Sequence, residues 1–170
     1  MPKIGLSLEL INKLFELDPE TGILTWKVTL GASRARVGNR AGTIGSGGYR
    51  YVKINGVRFR EHLIIWLILH GEWCPRRIDH EDRNRGNNRP SNLRKSTESQ
   101  QRQNAALRLD NATGARGVRQ HACGKYDARL SVDGKEKYLG LFATIEQAAE
   151  VARVARLKHY GDFAPAYDRR

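Results

Sequence analysis

RRIDHEDRNRGNNRPSNLRKSTESQQRQN, residues 76–104, carries the reading of the whole chain. Arg76 to His80 is a short candidate strand, and Leu93 to Ser96 is its candidate partner. Between them Glu81 to Asn92 has little apolar content and reads as a loop, in which Asn84, Asn87 and Asn88 suit Asx turns. Thr97 to Ala106 is a polar segment of good helix formers.

Upstream, His62 to His70 is too uniformly apolar for periodicity alone to separate helix from strand. Gly71 as the C′ residue and Pro75 soon after favour a helix. Before it, alternation in Tyr49 to Ile54, the dipeptide Asn55-Gly56 and the run Val57 to Arg60 predict a hairpin. Gly31 to Gly48 is basic and Gly-rich. At the N-terminal end, Leu8, Ile11, Leu14 and Phe15 are spaced three or four apart. This predicts a short amphipathic helix over Leu6 to Leu17 with Ser7 as N-cap. Asp18 to Gly22 reads as a turn into a strand from Ile23 to Val28.

Downstream the pattern restarts. Residues 107–113 read as a linker, so the predicted division is 1–106, 107–113, 114–164 and a tail at 165–170. Gly117 to Arg119, Tyr126 to Val132 and Lys135 to Phe142 predict three antiparallel strands, the last two joined by Asp133-Gly134. Thr144 with Gln147 has capping-box spacing, and Gly161 closes the helix that follows. Ala148, Ala149, Ala152 and Ala155 form a stripe that lets this helix approach a sheet closely. The fold class is α+β.

Composition narrows the partners. Thirty Lys and Arg against eighteen Asp and Glu leave 170 residues with a formal charge of +12, an excess that repels itself unless a polyanion offsets it. Nucleic acid is therefore the leading partner class. The longest apolar run, Leu63 to Leu69, is far short of the ~20 residues of a membrane span. Met1 to Leu14 lacks the organisation of a secretory signal. Cys74 and Cys123 have no CxxC spacing, so neither a disulfide framework nor a four-cysteine zinc site is expected. A reducing cytoplasm is the expected location, with no membrane and no small-molecule substrate.

The blocks His62-Leu63-Ile64-Ile65-Trp66, His70-Gly71-Glu72-Trp73, Ile78-Asp79-His80, Asn87-Asn88-Arg89, Asn92-Leu93-Arg94 and Ser99 to Asn104 stand in an order that resembles the HNH homing endonucleases common in bacteriophages. The resemblance covers roughly residues 10 to 105 and implies an N-terminal ββα-metal nuclease domain with a preceding hairpin. Phosphodiester hydrolysis needs a base to activate water and a cation to neutralise developing charge. An imidazole with a pKa near ~6.5 suits the first task, and carboxylate or amide oxygens suit Mg²⁺ in the second. The resemblance implies His80 as general base, Asp79 as ligand to Mg²⁺ or another divalent cation such as Mn²⁺, and Asn92 as the brace of the loop. At the position where the family offers an asparagine as second ligand stands Gln101, with Asn104 as the alternative. His62 opens an apolar helix and is read as packing or capping. A regular strand points Asp79 and His80 to opposite faces, so both reach one phosphate only if the strand ends or distorts there.

Residues 114 to 164 resemble the DNA-binding domain of plant ethylene-response factors. The resemblance rests on Arg116-Gly117-Val118-Arg119, Gly124-Lys125-Tyr126, Ala128-Arg129-Leu130, Tyr138-Leu139-Gly140, Phe142, Thr144, Glu146, Ala148-Ala149, Ala155 and Gly161 to Ala164. It implies a three-stranded sheet packed on one helix, with the sheet entering the major groove of double-stranded DNA. Arg116, Arg119 and Arg129 are the expected contacts, followed by Tyr126, Lys137 and Tyr138. Alternation puts Tyr126 and Arg129 on opposite faces, so joint contact requires a bulge or a contact along the backbone edge. The function expected is a metal-dependent homing endonuclease. Its rivals are a DNA-binding regulator with a decayed nuclease site and an RNA-binding accessory protein. The reading leaves the oligomeric state open.

Overall fold

The computed structural model describes residues 6–31, 35–108 and 110–165. Of the predicted tail 165–170 only the first residue is described, and Leu109 of the predicted linker also lies outside the described residues. Among the described residues there are four α-helices and several small antiparallel sheets. The chain divides into two compact units, residues 1–96 and 97–170, a division that falls upstream of the 107–113 segment.

The first unit opens with α1 (Leu8–Leu14), whose N-cap Ser7 accepts a hydrogen bond from the Leu10 amide at 3.1 Å. The helix stops at Leu14 rather than running to Leu17, because Phe15–Asp18 is already strand β1, paired antiparallel with β2 (Ile23–Trp26). Phe15 lies opposite Trp26, with ring centroids 4.5 Å apart and both residues buried. That distant aromatic contact overrides the helical spacing that Phe15 shares with Ile11. β3 (Thr43–Ile44), β4 (Arg50–Ile54) and β5 (Val57–Arg60) make a second sheet. Its β4–β5 turn is Asn55-Gly56 with φ of 48° and 82°, the left-handed pair that a two-residue hairpin demands.

α2 (Glu61–His70) follows β5 without a break and ends at Gly71, whose φ of 73° gives the left-handed cap. Its Ile64, Ile65, Trp66 and Leu67 are all buried, so this helix is apolar nearly all round and forms the centre of the unit. Ile11, Leu24, Val52, Ile54, Cys74, Ile78 and Leu93 close the core around it. β6 (Arg77–His80) and β7 (Leu93–Ser96) pair antiparallel, with Asp79 opposite Arg94 and His80 opposite Leu93.

The second unit begins with α3 (Glu98–Asn104), which has a complete capping box between Thr97 and Gln100 and packs against the short turn Gly161–Phe163. β8 (Val118–Gln120), β9 (Tyr126–Val132) and β10 (Lys135–Phe142) form an antiparallel sheet in the order β10-β9-β8. Against it lies α4 (Ile145–Tyr160), whose Ala148 and Ala152 are wholly buried. The small-residue stripe thus does what the spacing predicts. Thr144 accepts from the Gln147 amide at 3.3 Å, which is the N-cap half of the predicted box. An irregularity of register does occur in this sheet, but it lies between Tyr138 and Gly140 on β10 rather than on β9. Among the described residues no helix is long and apolar enough to cross a membrane.

Candidate active site

β6 ends at His80, but Asp79 and His80 are both paired inside it, opposite Arg94 and Leu93, so the two side chains keep opposite faces of the strand. The imidazole is buried, and its Nε2 lies 3.0 Å from Asn88 Oδ1. A carbonyl oxygen only accepts, so Nε2 carries the hydrogen and the basic lone pair falls on Nδ1. Asn88 is itself buried on the loop between β6 and β7. Its backbone carbonyl rests on Gly22, in the turn between β1 and β2, so closely that a Cβ at Gly22 would overlap it.

The loop is held by side-chain amides. Asn92 Nδ2 donates to Asp82 Oδ1 at 2.9 Å and to the Asn87 carbonyl at 2.8 Å, while its Oδ1 accepts from the Asp82 amide at 3.0 Å. Asn87 Nδ2 donates to Asp82 Oδ2 at 2.7 Å, and Asn84 and Asp82 each accept a backbone amide two residues on. Asn92 thereby braces the loop. Asn84 and Asn87 serve the turns as their residue type suggests, but Asn88 differs from them in holding the imidazole.

Behind His80 sits His62, whose ring meets it edge-on at 5.0 Å and 87°. His62 is buried and its Nδ1 has no hydrogen-bond partner. Burial, then the neighbouring charges of His80 and Arg60, depress its pKa to about 3. It therefore packs as a neutral aromatic and presents no positive charge to His80. Glu61, one residue earlier, is also fully buried and receives Arg50 Nε at 2.9 Å. Burial pushes the Glu61 carboxyl above its ordinary range, and Arg50 opposes that shift.

These shifts give a pH prediction. Below an unfolded pKa near ~6.5 the unfolded chain takes up a proton at His62 that the folded chain refuses until about pH 3. Stability is therefore lost as pH falls through that window, by up to ~1.4 kcal/mol per pH unit. Glu61 acts in the opposite sense, because its folded pKa is raised. His62→Phe is expected to flatten the decline in unfolding free energy between neutral pH and pH 5, as measured by urea titration. Parallel curves for variant and wild type would show that His62 is not the group responsible.

Asp79 stands on the other face of β6 and is clamped by Arg94 across the strand pair, with Nε at 3.2 Å and Nη2 at 3.1 Å from Oδ2. Among the described residues no group of three His, Cys, Asp or Glu is placed to hold a metal ion. A lone hard carboxylate, completed by amide and phosphate oxygens, is nevertheless a donor set in which Mg²⁺ is commonly bound. Gln101 and Asn104 lie on α3, in the second unit, the former half-buried and the latter buried.

In the second unit a cleft of about 330 Å³ is lined by Arg102, Arg116, Arg119, Arg129 and Arg156, among others. Arg119 and Arg129 share Glu136 as ion-pair partner, and Arg129 also pairs with Asp127. Arg116 donates to the Ala105 carbonyl. Lys137 and Tyr138 are exposed, and Tyr126 is half-buried against the small apolar cluster under α4. Residue-by-residue reading missed the part of Asn88 and the acidic partners of the arginines. The signal for the last was available, since Glu136 precedes Lys137 on the strand that pairs with β9.

Residues 60–103, from the last residue of β5 into α3, match the family described as HNH endonuclease. No curated protein and no solved structure matches the chain. The matched span lies mid-chain, so α1 and the β1–β2 hairpin precede it, and the three-stranded sheet follows it. It supports a nuclease, and with it DNA as the substrate class and a divalent ion as the usual cofactor.

Proposed function

We propose that the protein is a metal-dependent DNA endonuclease of homing type, in which residues 1–106 carry the chemistry and residues 114–164 hold the target. The observation that carries this reading is His80, buried at a strand end with its tautomer set by Asn88, inside the span that matches the nuclease family. His80 Nδ1 would take a proton from water, and the Asn88 carbonyl would steady the resulting imidazolium through Nε2–H. Asp79 would hold the divalent ion, which would supply charge neutralisation at the phosphate and leaving oxygen. Arg94 fixes the orientation of the Asp79 carboxylate. Arg116, Arg119, Arg129, Tyr126, Lys137 and Tyr138 are assigned to contact the target, on the resemblance to the ethylene-response-factor domain. The arginine-lined cleft supports an anionic ligand for that unit.

The test is incubation of the full chain with supercoiled plasmid and Mg²⁺, with and without a chelator. Nicking or linearisation that the chelator abolishes is expected. Binding without cleavage under every divalent metal tried would favour the second reading, a DNA-binding protein whose nuclease site has decayed. One observation favours that rival: Arg94 already neutralises Asp79, and a cation there competes with a metal for the same carboxylate.

A further inference from the structure

Beside His80 lies a cationic cluster that the chemistry described above leaves unused. Tyr49, the residue before β4, has its ring 6.0 Å from the His80 ring and 5.5 Å from that of His62. Two guanidiniums stack on that same ring, Arg60 at 4.5 Å and Arg85 at 4.9 Å from its centroid. They come from different places: Arg60 is the last residue of β5, and Arg85 stands on the exposed loop between β6 and β7. Arg85 Nη1 also donates to the Gly47 carbonyl at 3.1 Å, which ties that loop to the turn before β4.

Both arginines are exposed, and neither has a carboxylate partner among the described residues. Arg50 and Arg94 in the same unit do. Two like charges held on one ring repel each other, and the attraction of the ring offsets that only weakly at exposed sites. The arrangement becomes favourable once an anion is shared. A guanidinium over a ring face keeps its N–H donors at its edge, in the fork geometry that matches phosphate oxygens, and Arg85 spends Nη1 on Gly47. The tyrosine thus orders two flexible side chains in advance, next to the imidazole.

We propose that Arg60 and Arg85, aligned on Tyr49, form a clamp for DNA backbone phosphates that positions the strand presented to His80. The clamp rests on the nuclease reading of that site. It is a positioning device: it makes no proton transfer and holds no metal.

The test measures binding by the full chain to a short fluorescent duplex, without divalent metal, over roughly 50 to 200 mM salt. Each lost phosphate contact lowers the slope of log K against log salt by ~0.9. The doubly substituted R60A/R85A chain is expected to lose about 1.8 from the slope, and each single variant about half of that. R60K/R85K should restore most of the slope, because lysine supplies the same charge to a phosphate. Tyr49→Phe, which keeps the ring, should match wild type. Circular dichroism checks that the variants are folded, and if R60A/R85A is not, R60Q/R85Q carries the same comparison. An unchanged slope in the neutral variant, or a lost slope that lysine does not restore, overturns the clamp. Wild-type chain that binds with the clamp's salt signature but never cuts plasmid would overturn the nuclease reading alone.

Discussion

His80→Ala lowers the single-turnover rate of DNA cleavage by at least about 10²-fold and leaves DNA affinity unchanged, which is the expected result of removing a general base. The imidazole is buried at the end of β6, touches Asn88 through Nε2, and faces the neutral ring of His62. None of these contacts requires a histidine for packing alone, since a buried imidazole costs desolvation. Alanine also leaves Asn88 Oδ1 without this partner, at a cost of about 1–3 kcal/mol. His80→Gln is therefore the companion variant, because its amide can still donate to Asn88 while it cannot act as a base. Both variants are expected to bind the duplex and neither to cut it. Cleavage at the wild-type rate by either one would remove His80 from the chemistry.

Gly22→Ala is expected to damage the site from a position outside it. Gly22 has φ of 68°, and a Cβ there would overlap the carbonyl of Asn88 and press on the amide of Arg89. Gly38 has φ of 81° but open space around its missing Cβ. The strain of a left-handed alanine, about 1 kcal/mol, is common to both. Only Gly22 adds a steric push on the residue that holds His80. Gly22→Ala should therefore cost about 3 kcal/mol or more in urea titration and depress the cleavage rate of the folded fraction, whereas Gly38→Ala should cost about 1 and cleave normally. If the two variants behaved alike, the contact between Gly22 and Asn88 would not be holding the loop.

What could be read from the residues was what is local. Asn55-Gly56 and Asp133-Gly134 need only their neighbours to turn, and Asn55 and Asp133 have the left-handed φ of 48° and 50° that those dipeptides supply. Ser7, Gly71 and Thr144 cap the helices as their side chains or lack of one dictate. Phe15 was misleading because its helical spacing is local and its partner, Trp26, is not. The same distinction separates the site residues. Asp79, His80 and Asn92 are visible in the order of motifs along the chain. Asn88 has three asparagine neighbours in composition, and only the approach of Gly22 to the loop singles it out. Arg94 becomes the partner of Asp79 directly opposite it, and Glu136 reaches Arg129 diagonally on the neighbouring strand and Arg119 one strand further, placements that alternation along a strand does not give.

The loop that carries Asn88 coheres through amide and carboxylate side chains, with Asn92 at their hub and little apolar burial of its own. Such bonds exchange with water far more readily than a packed helix such as α2 separates from its core, so the loop belongs to the low end of the molecule's opening energies. The loop is accordingly expected to open at a lower temperature than its scaffold. On that expectation, warming would release the His80 ring from Asn88 before the strands on either side of the loop part, and cooling would restore the contact with no refolding step.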